Sequence, residues 1–291
     1  MIRRQLLTLA VLLACQQAAQ AADPAAETAD WSLRLPVQEK VVFRGQVNYD
    51  KAGTGQGGMV YPAPGLVGLL AAIATHAVIV NGVRQGQRSE IEIAADKVLT
   101  PYKETLDAFN YGELAGLALP PELGVPTLAA DAKPKSGLII SSAPVFYMTQ
   151  DQSALILDNT VSVFKAGNDK PVYTNTVRVV SRAGEAEDLV AHWKQEDGKR
   201  LREESASLFR QSVDIVRSYA LAPASAATAS AHRTFRYLEG KVDAIERAEP
   251  LSEQCGRALV KNLRGWLMSI PLKRARPAAP ECAAPAESPT L

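Results

Sequence analysis

The sequence predicts an α+β fold, in which helices cover a mainly antiparallel sheet and a small C-terminal module follows. Residues 137–148, 154–164 and 172–182 are rich in Val, Ile, Leu and aromatic side chains, as strands are. The last two segments are joined by KAGNDK, whose Gly, Asn and Asp favour a short turn, so these strands should pair antiparallel. Residues 199–219 then predict a helix that covers this sheet.

Periodicity within two of these segments supports their assignment. The strand at 154–164 alternates Asp158, Thr160 and Ser162 with apolar residues, which places one of its faces against a core and the other in water. Those apolar residues are Leu155, Leu157, Val161 and Val163. Residues 199–219 instead repeat apolar positions with helical spacing, at Leu201, Leu208, Phe209, Val213, Val216 and Tyr219.

The N-terminal half contains one strand and two predicted helices. Residues 40–49 are strand-like, and the glycines of GTGQGG end the strand. Residues 61–82 carry no charged side chain, so they predict either a helix buried in the core, which we favour, or a segment that inserts into a membrane. Residues 86–109 predict an amphipathic helix that Pro101 kinks or splits.

The first 21 residues have the pattern of a secretory signal peptide. Two arginines precede the apolar run LLTLAVLLA, which is too short to span a bilayer, and a polar stretch follows. Small residues at Ala19 and Ala21 favour ordinary cleavage. The alternative is a lipoprotein signal ending in Cys15, which would leave the chain lipidated there. Either route predicts a location in the periplasm or at the periplasmic face of the outer membrane.

The charge balance argues against nucleic acid as a class of partner. The whole chain has 32 basic and 31 acidic residues, and removal of the signal peptide takes away Arg3 and Arg4 without any acid. The mature chain is therefore almost neutral, whereas nucleic-acid-binding proteins carry excess positive charge.

Cleavage leaves two cysteines, Cys255 and Cys282, in an oxidising compartment, where a pair of cysteines predicts one disulfide bond. Two free thiols are the alternative. The bridge would close a loop of fewer than about 30 residues and stabilise the fold by ~3 kcal/mol through loss of unfolded-state entropy.

The C-terminal part follows a low-complexity linker. Residues 222–232 are almost all Ala and Ser, which separates an α+β domain at 31–221 from a small module at 233–271. Phe235 and Tyr237 alternate as in a strand, whereas Leu259, Leu263 and Trp266 have helical spacing with Leu267 and Ile270. Residues 272–291 are dense in Pro and Ala and predict a disordered tail.

The order of these pieces resembles that of known exported proteins. The resemblance includes HWKQEDGKRLREES at 192–205 and RYLEGKVDAIERAEPLSEQCGRALVKNLRGWLMSIP at 236–271. The chain looks like uncharacterised exported proteins and lipoproteins of Gram-negative bacteria and, more loosely, like the α/β domains of envelope-assembly lipoproteins. This resemblance covers most of the mature chain. It implies an envelope location and a fold of helices and strands, and it assigns no catalytic residue.

No motif predicts a reaction, a cofactor or a metal. Gly53, Gly55 and Gly58 match the dinucleotide pattern GxGxxG, but two prolines intervene before the helix and no acidic residue follows at the required distance. The three histidines lack the spacing of metal ligands on one helix or hairpin. A serine nucleophile motif and a catalytic cysteine context are also missing from the sequence.

One C-terminal stretch predicts contact with an anionic surface. Between residues 254 and 280 the chain carries basic residues and a tryptophan, a combination that suits anionic lipid, lipopolysaccharide or peptidoglycan. The candidate contact residues are Arg257, Lys261, Arg264, Trp266, Lys273 and Arg274. A solvated basic face is the alternative interpretation.

The sequence as a whole therefore predicts a non-catalytic exported protein of the cell envelope that acts through protein or envelope contacts. Two alternatives stay open: a periplasmic hydrolase of an envelope polymer, and a membrane-inserting component that uses residues 61–82.

Overall fold

The computed structural model describes residues 30–37, 39–47, 90–129, 132–220 and 230–273. The predicted signal peptide with Cys15, the Gly-rich turn and the uncharged segment 61–82 lie outside these residues. Most of the linker, Arg274, Cys282 and the rest of the tail lie outside them as well. The described residues from Trp31 to Lys273 belong to one compact unit.

The α+β prediction is confirmed by a ten-stranded, mostly antiparallel sheet with a few helices. Its centre consists of β4 (Leu138–Met148), β5 (Leu155–Lys165) and β6 (Pro171–Val180), which pair antiparallel in chain order. These are the three strands that the apolar segments and the KAGNDK turn predict.

Short parallel strands complete one side of the sheet. Strands β1 (Trp31–Arg34) and β2 (Val42–Gly45) both pair with β4, one near each of its ends. Strand β3 (Thr127–Leu128) pairs with β1 at the outer edge. The predicted strand at 40–49 is thus shorter than expected within the described residues. Gly45 lies so close to the backbone of Ala95 that a Cβ atom would be 1.9 Å from its carbonyl oxygen.

The C-terminal residues 233–271 extend the same sheet. They form β7 (Arg233–Glu239), β8 (Val242–Gln254), β9 (Arg257–Asn262) and β10 (Leu267–Pro271), which pair antiparallel as neighbours in space. Strand β10 also pairs in parallel with β6, so the order along this side is β6-β10-β9-β8-β7.

The helical interpretation of residues 259–270 is wrong. The spacing that suggested a helix spans two strands and the turn between them, in which Gly265 has a φ of 83°. On β9, Ala258 and Val260 point into a core while their neighbours do not, which is the period of a strand.

A second core lies on the face of the central sheet opposite the long helix. Ile156 and Val180 of the central strands pack there with residues of the C-terminal strands. Those residues are Phe235, Tyr237, Ala248, Ala258, Val260, Met268 and Ile270. An antiparallel bridge joins Tyr237 on β7 to Leu272, which follows β10. The first and last of the C-terminal strands therefore meet, and these strands curl around the second core.

The predicted helix at 86–109 is divided, as Pro101 suggested. Helix α1 (Glu90–Asp96) continues into a 3-10 turn (Lys97–Tyr102) that contains Pro101, and α2 (Lys103–Ala108) follows. Helix α3 (Tyr111–Ala118) was not predicted from the sequence, and Asn110 caps it by accepting a hydrogen bond from the Glu113 amide. A further 3-10 turn covers Pro121–Leu123.

Helix α4 (Leu189–Tyr219) is the longest and covers the sheet on the side of β5 and β6. It contains the predicted helix at 199–219 but starts ten residues earlier. Residues 195–198 interrupt it with non-helical backbone angles, so α4 consists of a short first part and a long second part. Within the described residues, no helix is both long and apolar enough to cross a membrane.

Candidate functional site

A cavity of about 480 Å³ lies between α4, the segment that follows β6, and the start of β9. This volume falls in the range of small-molecule sites. The segment after β6 contributes Ser181, Arg182 and Gly184, and β9 contributes Arg257. The first part of α4 contributes His192 and Trp193, so both parts of the interrupted helix line the cavity.

The second part of α4 presents a polar stripe to the cavity. Its lining residues recur every three or four positions, which places them on one side of a helix. They are Arg200, Glu203, Glu204, Ser207, Leu208 and Gln211. The adjacent side of the same helix carries the apolar residues that pack on the sheet.

The wall formed by the strands holds two arginines in place. Arg257 donates from Nη2 to the carbonyl of Val180 at 2.7 Å and to the carbonyl of Ser269 at 2.9 Å, and from Nε to Ser269 Oγ at 3.1 Å. Arg182 donates from Nη2 to the carbonyl of Cys255 at 2.5 Å. These bonds join β6, β9 and β10 at the cavity and fix the positions of both positive charges.

Arg200, in contrast, forms neither a hydrogen bond nor an ion pair within the described part of the chain. It is exposed on α4 and lines the cavity beside the two fixed arginines. Because its guanidinium is not used by the fold, it is available to a ligand.

The electrostatics of the cavity favour a positive charge. Burial raises the pKa of the Glu204 carboxyl, and the positive charge of Arg257 opposes this increase. Burial and the nearby positive charge of Arg182 lower the pKa of Arg257, and Glu204 opposes this decrease, so that the pKa is about 10. Arg257 therefore stays charged at neutral pH, and the negative charge of Glu204 is disfavoured.

Gln211 lines the same cavity, but its Oε1 atom is buried inside the wall. This atom has no hydrogen-bond partner among the described residues. A buried acceptor without a partner costs free energy.

The first part of α4 is anchored to the turn between β4 and β5. Trp193 donates from Nε1 to the carbonyl of Gln152 at 2.6 Å, and the Gly184 amide donates to the carbonyl of Ser153 at 2.7 Å. Asp188 caps the helix by accepting from the Ala191 amide at 2.9 Å. The turn between β4 and β5 thus holds the part of the cavity wall that His192 and Trp193 form.

The residues predicted to contact an anionic surface are spread over several environments. Arg257 is turned toward β6 and β10, whereas Lys261 is exposed on β9. Arg264 lies 5.7 Å from the ring centre of Trp266, and Lys273 forms an ion pair with Asp243 at 2.5 Å. Of the described candidates, only Arg257 lines the cavity.

Cys255 lies in the turn between β8 and β9 and is exposed. Its backbone is left-handed, with a φ of 52°, and Gly256 after it has a φ of 70°. Because Cys282 lies outside the described residues, the disulfide between the two stays a prediction.

A second polar cluster occupies the opposite face of the sheet. Arg178 on β6 donates from Nε and Nη2 to both carboxylate oxygens of Asp158 on β5, each at 2.6 Å. Burial lowers the pKa of Arg178, but its pairing with Asp158 and Glu239 outweighs this effect and raises it. Glu239 also accepts from the Tyr237 hydroxyl at 2.9 Å. These bonds hold the end of β7 over the central strands.

The two clusters differ in what they can do chemically. The donors and acceptors around Arg178 satisfy one another, as in a structural network. The cavity is instead lined by the guanidinium of Arg200, which the fold does not use, and by the Glu204 carboxyl, whose pKa is raised. Among the residues that the structure describes, no three His, Cys, Asp or Glu side chains could hold a metal ion together.

Of the residues that line this cavity, only Arg257 is among the site residues that the sequence predicts. One signal was present in the sequence: Arg200, Glu204, Ser207 and Gln211 recur at helical spacing beside the apolar stripe of the same helix. Such a stripe is typical of a helix face in contact with solvent. In the fold, the segment after β6 and strand β9 enclose it, and the sequence of the helix by itself does not indicate this.

Comparisons with known proteins add no relative. No family model, no curated protein and no solved structure matches this chain. A functional proposal therefore depends on the residues of the cavity and on the sequence.

Proposed function

We propose that this chain is a non-catalytic, exported protein of the cell envelope that binds an anionic envelope component in the cavity beside α4. The observation that carries the proposal is the wall of three guanidinium groups, those of Arg182, Arg200 and Arg257, from three separate elements. Guanidinium groups bind carboxylate and phosphate with paired hydrogen bonds, and both groups are abundant in the envelope materials that the C-terminal basic residues suggest.

The export part of this proposal depends on the N-terminal sequence. Cells that express the natural chain should yield it from the envelope or periplasmic fraction. Mass spectrometry should show either cleavage after residue 21 or an acylated Cys15, and a Cys15→Ala variant separates these two routes. Alkaline carbonate extraction of that variant should release it, because we favour a buried helix at 61–82. Recovery of cytosolic protein that keeps Met1 would overturn the export proposal.

The binding part is tested with the purified mature chain. Lipopolysaccharide, isolated peptidoglycan and vesicles of anionic lipid should be compared in a cosedimentation assay at low and high salt. Arg200→Gln should weaken binding to the true ligand by about tenfold, the loss expected for one charge-assisted contact.

Arg210→Gln is the matched control for this assay, because Arg210 is exposed on the same helix but does not line the cavity. Equal loss in the two variants would mean that binding is a general effect of positive charge. In that case the cavity would not be the binding site.

A hydrolase of an envelope polymer is the second candidate function. It is favoured because His192, Glu204 and Ser207 line one cavity, and a partly buried carboxyl with a raised pKa suits a general acid. This candidate predicts that the protein releases soluble fragments from peptidoglycan and that Glu204→Gln abolishes release without abolishing binding. Binding without any release of fragments would leave the non-catalytic function.

A further inference from the structure

We propose that the outward face of the C-terminal strands contacts a membrane that contains anionic phospholipid. This face is formed by Arg236 on β7, Ile245 and Arg247 on β8, Lys261 on β9, and Leu263 in the turn that follows β9. None of these residues lines the cavity, so the inference goes beyond the proposed function. Of the five, only Lys261 is among the contact residues that the sequence predicts.

Strand pairing places the residues of the outward face on one side of the sheet. Arg236 on β7 lies opposite Ile245 on β8, and Lys261 on β9 lies opposite Glu249 on β8. Ile245, Arg247 and Glu249 are separated by two residues each along β8, so their side chains point to the same side. Their neighbours along the strands point to the other side, where the second core lies.

Two large apolar side chains of the outward face are in contact with solvent. Ile245 is 60% exposed and Leu263 is 67% exposed. Leu263 directly follows Asn262, whose strand partner Ala248 is the neighbour of Arg247, so Leu263 lies at the edge of the face. Apolar side chains among basic ones suit the surface of an anionic membrane, because they insert between the lipids while the basic groups meet the phosphates.

The basic side chains of the outward face are not used by the fold. Arg236, Arg247 and Lys261 are exposed, and none of them forms a hydrogen bond or an ion pair through its side chain within the described part of the chain. They come from three different strands, so the sheet assembles a positive charge that no single segment carries. Basic residues close to an anionic lipid surface are attracted to it.

The acidic side chains of the outward face, in contrast, already have partners. Asp243 lies two residues before Ile245 on β8 and forms an ion pair with Lys273 at 2.5 Å. Glu249 accepts a hydrogen bond from the Ser230 amide at 3.0 Å. The charge that remains for a partner is therefore positive, which is complementary to anionic phospholipid.

Cosedimentation of the purified mature chain with vesicles tests this inference. The two probes are vesicles of phosphatidylcholine alone and vesicles of equal parts of phosphatidylcholine and phosphatidylglycerol. At low salt we expect the anionic vesicles to bind at least about tenfold more tightly. High salt should remove most of this difference, because the charges are exposed and salt screens them.

A charge variant and a matched control assign the binding to the outward face. Arg236→Gln together with Arg247→Gln should weaken binding to the anionic vesicles by at least about tenfold. Lys103→Gln together with Arg210→Gln removes the same charge from exposed positions on α2 and α4, and it should change binding by less than about twofold.

An apolar variant tests insertion separately from charge. Ile245→Thr together with Leu263→Ser should weaken binding to the anionic vesicles by at least about fivefold, because less apolar surface enters the membrane. Ile93→Thr together with Leu117→Ser is the control, since both side chains are exposed on helices α1 and α3. Because all these positions are exposed, we expect the variants to keep the melting temperature of the natural chain.

The inference is overturned if both kinds of vesicle bind equally, or if either variant of the face binds as tightly as its control. Arg200→Gln separates the outward face from the cavity, because it should leave vesicle binding unchanged. Loss of vesicle binding in Arg200→Gln but not in the charge variant would overturn this inference and support the proposed function. If vesicles bind through the face and no envelope material binds in an Arg200-dependent way, this inference stands and the proposed function fails.

Discussion

Asn159 lies at the centre of the interface between the sheet and the long helix and is fully buried. Its Oδ1 accepts from Ser142 Oγ at 2.7 Å, and its Nδ2 donates to Ser212 Oγ at 2.9 Å. Ser212 in turn donates to the carbonyl of Phe209 at 2.7 Å. A buried polar chain in which each member has a partner fixes how two elements align, because any slip leaves polar groups unpaired. This chain sets the position of α4 along β5.

Ser212→Ala should lower the free energy of unfolding by about 1–3 kcal/mol, because it leaves the Asn159 amide buried without its acceptor. Denaturant unfolding followed by circular dichroism measures this loss. Ser218→Ala is the control, since its hydroxyl bonds to the carbonyl of Asp214 on the exposed side of the same helix. We expect the control to stay within about 0.5 kcal/mol of the natural chain. Equal effects in the two variants would contradict the role of the buried chain.

Glu204 makes stability depend on pH at the residue scale. Because burial raises its pKa in the folded state, folding favours the protonated carboxyl. Its contribution to stability is complete below the unfolded-state pKa and is lost as the pH rises through the raised folded-state pKa.

Glu204→Gln should therefore melt at a higher temperature than the natural chain at pH 7. The two should converge as the pH falls toward about 4, near the ordinary pKa of a glutamate. Thermal melts at several pH values measure the difference. A variant that is less stable at pH 7 would show that the electrostatic attraction between Glu204 and Arg257 outweighs burial.

At the scale of elements, both parts of α4 line the cavity. Glu196, Asp197 and Gly198 all have positive φ angles, so the backbone leaves the helical path between the two parts. His192 and Trp193 of the short first part line the cavity together with the polar stripe of the second part.

Gly198 is required at this interruption for two reasons. Its φ of 82° is unfavourable for residues with a side chain, and a Cβ atom would lie 2.3 Å from Thr105 Cγ2 on α2. We expect Gly198→Ala to cost more than the ~1–2 kcal/mol of a left-handed residue, and the double variant with Thr105→Ala to recover the steric part. Thermal melts of the single and double variants measure both terms.

Gly116→Ala provides the control for this substitution. Gly116 is exposed in α3 with open space around its Cα, so alanine there should stabilise the helix by up to about 1 kcal/mol. A Gly198→Ala variant as stable as the natural chain would mean that the interruption of α4 adapts to a side chain.

At the scale of the whole molecule, the parallel pairing of β10 with β6 makes the C-terminal residues part of the main fold. Without β7 to β10, the edge of β6 would be unpaired, and Ile156 and Val180 would lose the core that covers them. An unpaired edge strand next to exposed apolar side chains is unstable and promotes aggregation.

A chain that ends at residue 220 should therefore fail to unfold cooperatively, whereas a chain that ends at residue 273 should fold. Both should be compared under reducing conditions, so that loss of the predicted disulfide does not contribute. Cooperative unfolding of the shorter chain would show instead that residues 31–220 are an independent domain.

Local patterns were sufficient for the central strands and for the division at Pro101. The alternation along β5 and the turn residues before β6 depend on neighbours in the chain, which sequence reasoning can evaluate. Residues 259–270 were interpreted wrongly because the apolar positions of two strands and the turn between them match a helical period by chance. Helix α3 was also not predicted, because it is too short for a clear apolar period. Asn110, a residue that favours the start of a helix, was the remaining signal for it.

The sequence by itself determined the α+β class, the central meander and the prediction of export, since each depends on short-range periodicity or on a segment that acts as a linear signal. Only the tertiary structure decided that β10 joins β6 and that the polar stripe of α4 becomes the wall of a cavity. The physical reason is that both depend on contacts between residues far apart in the chain, such as the hydrogen bond from Arg257 to the carbonyl of Val180. The burial of two cores brings such residues together.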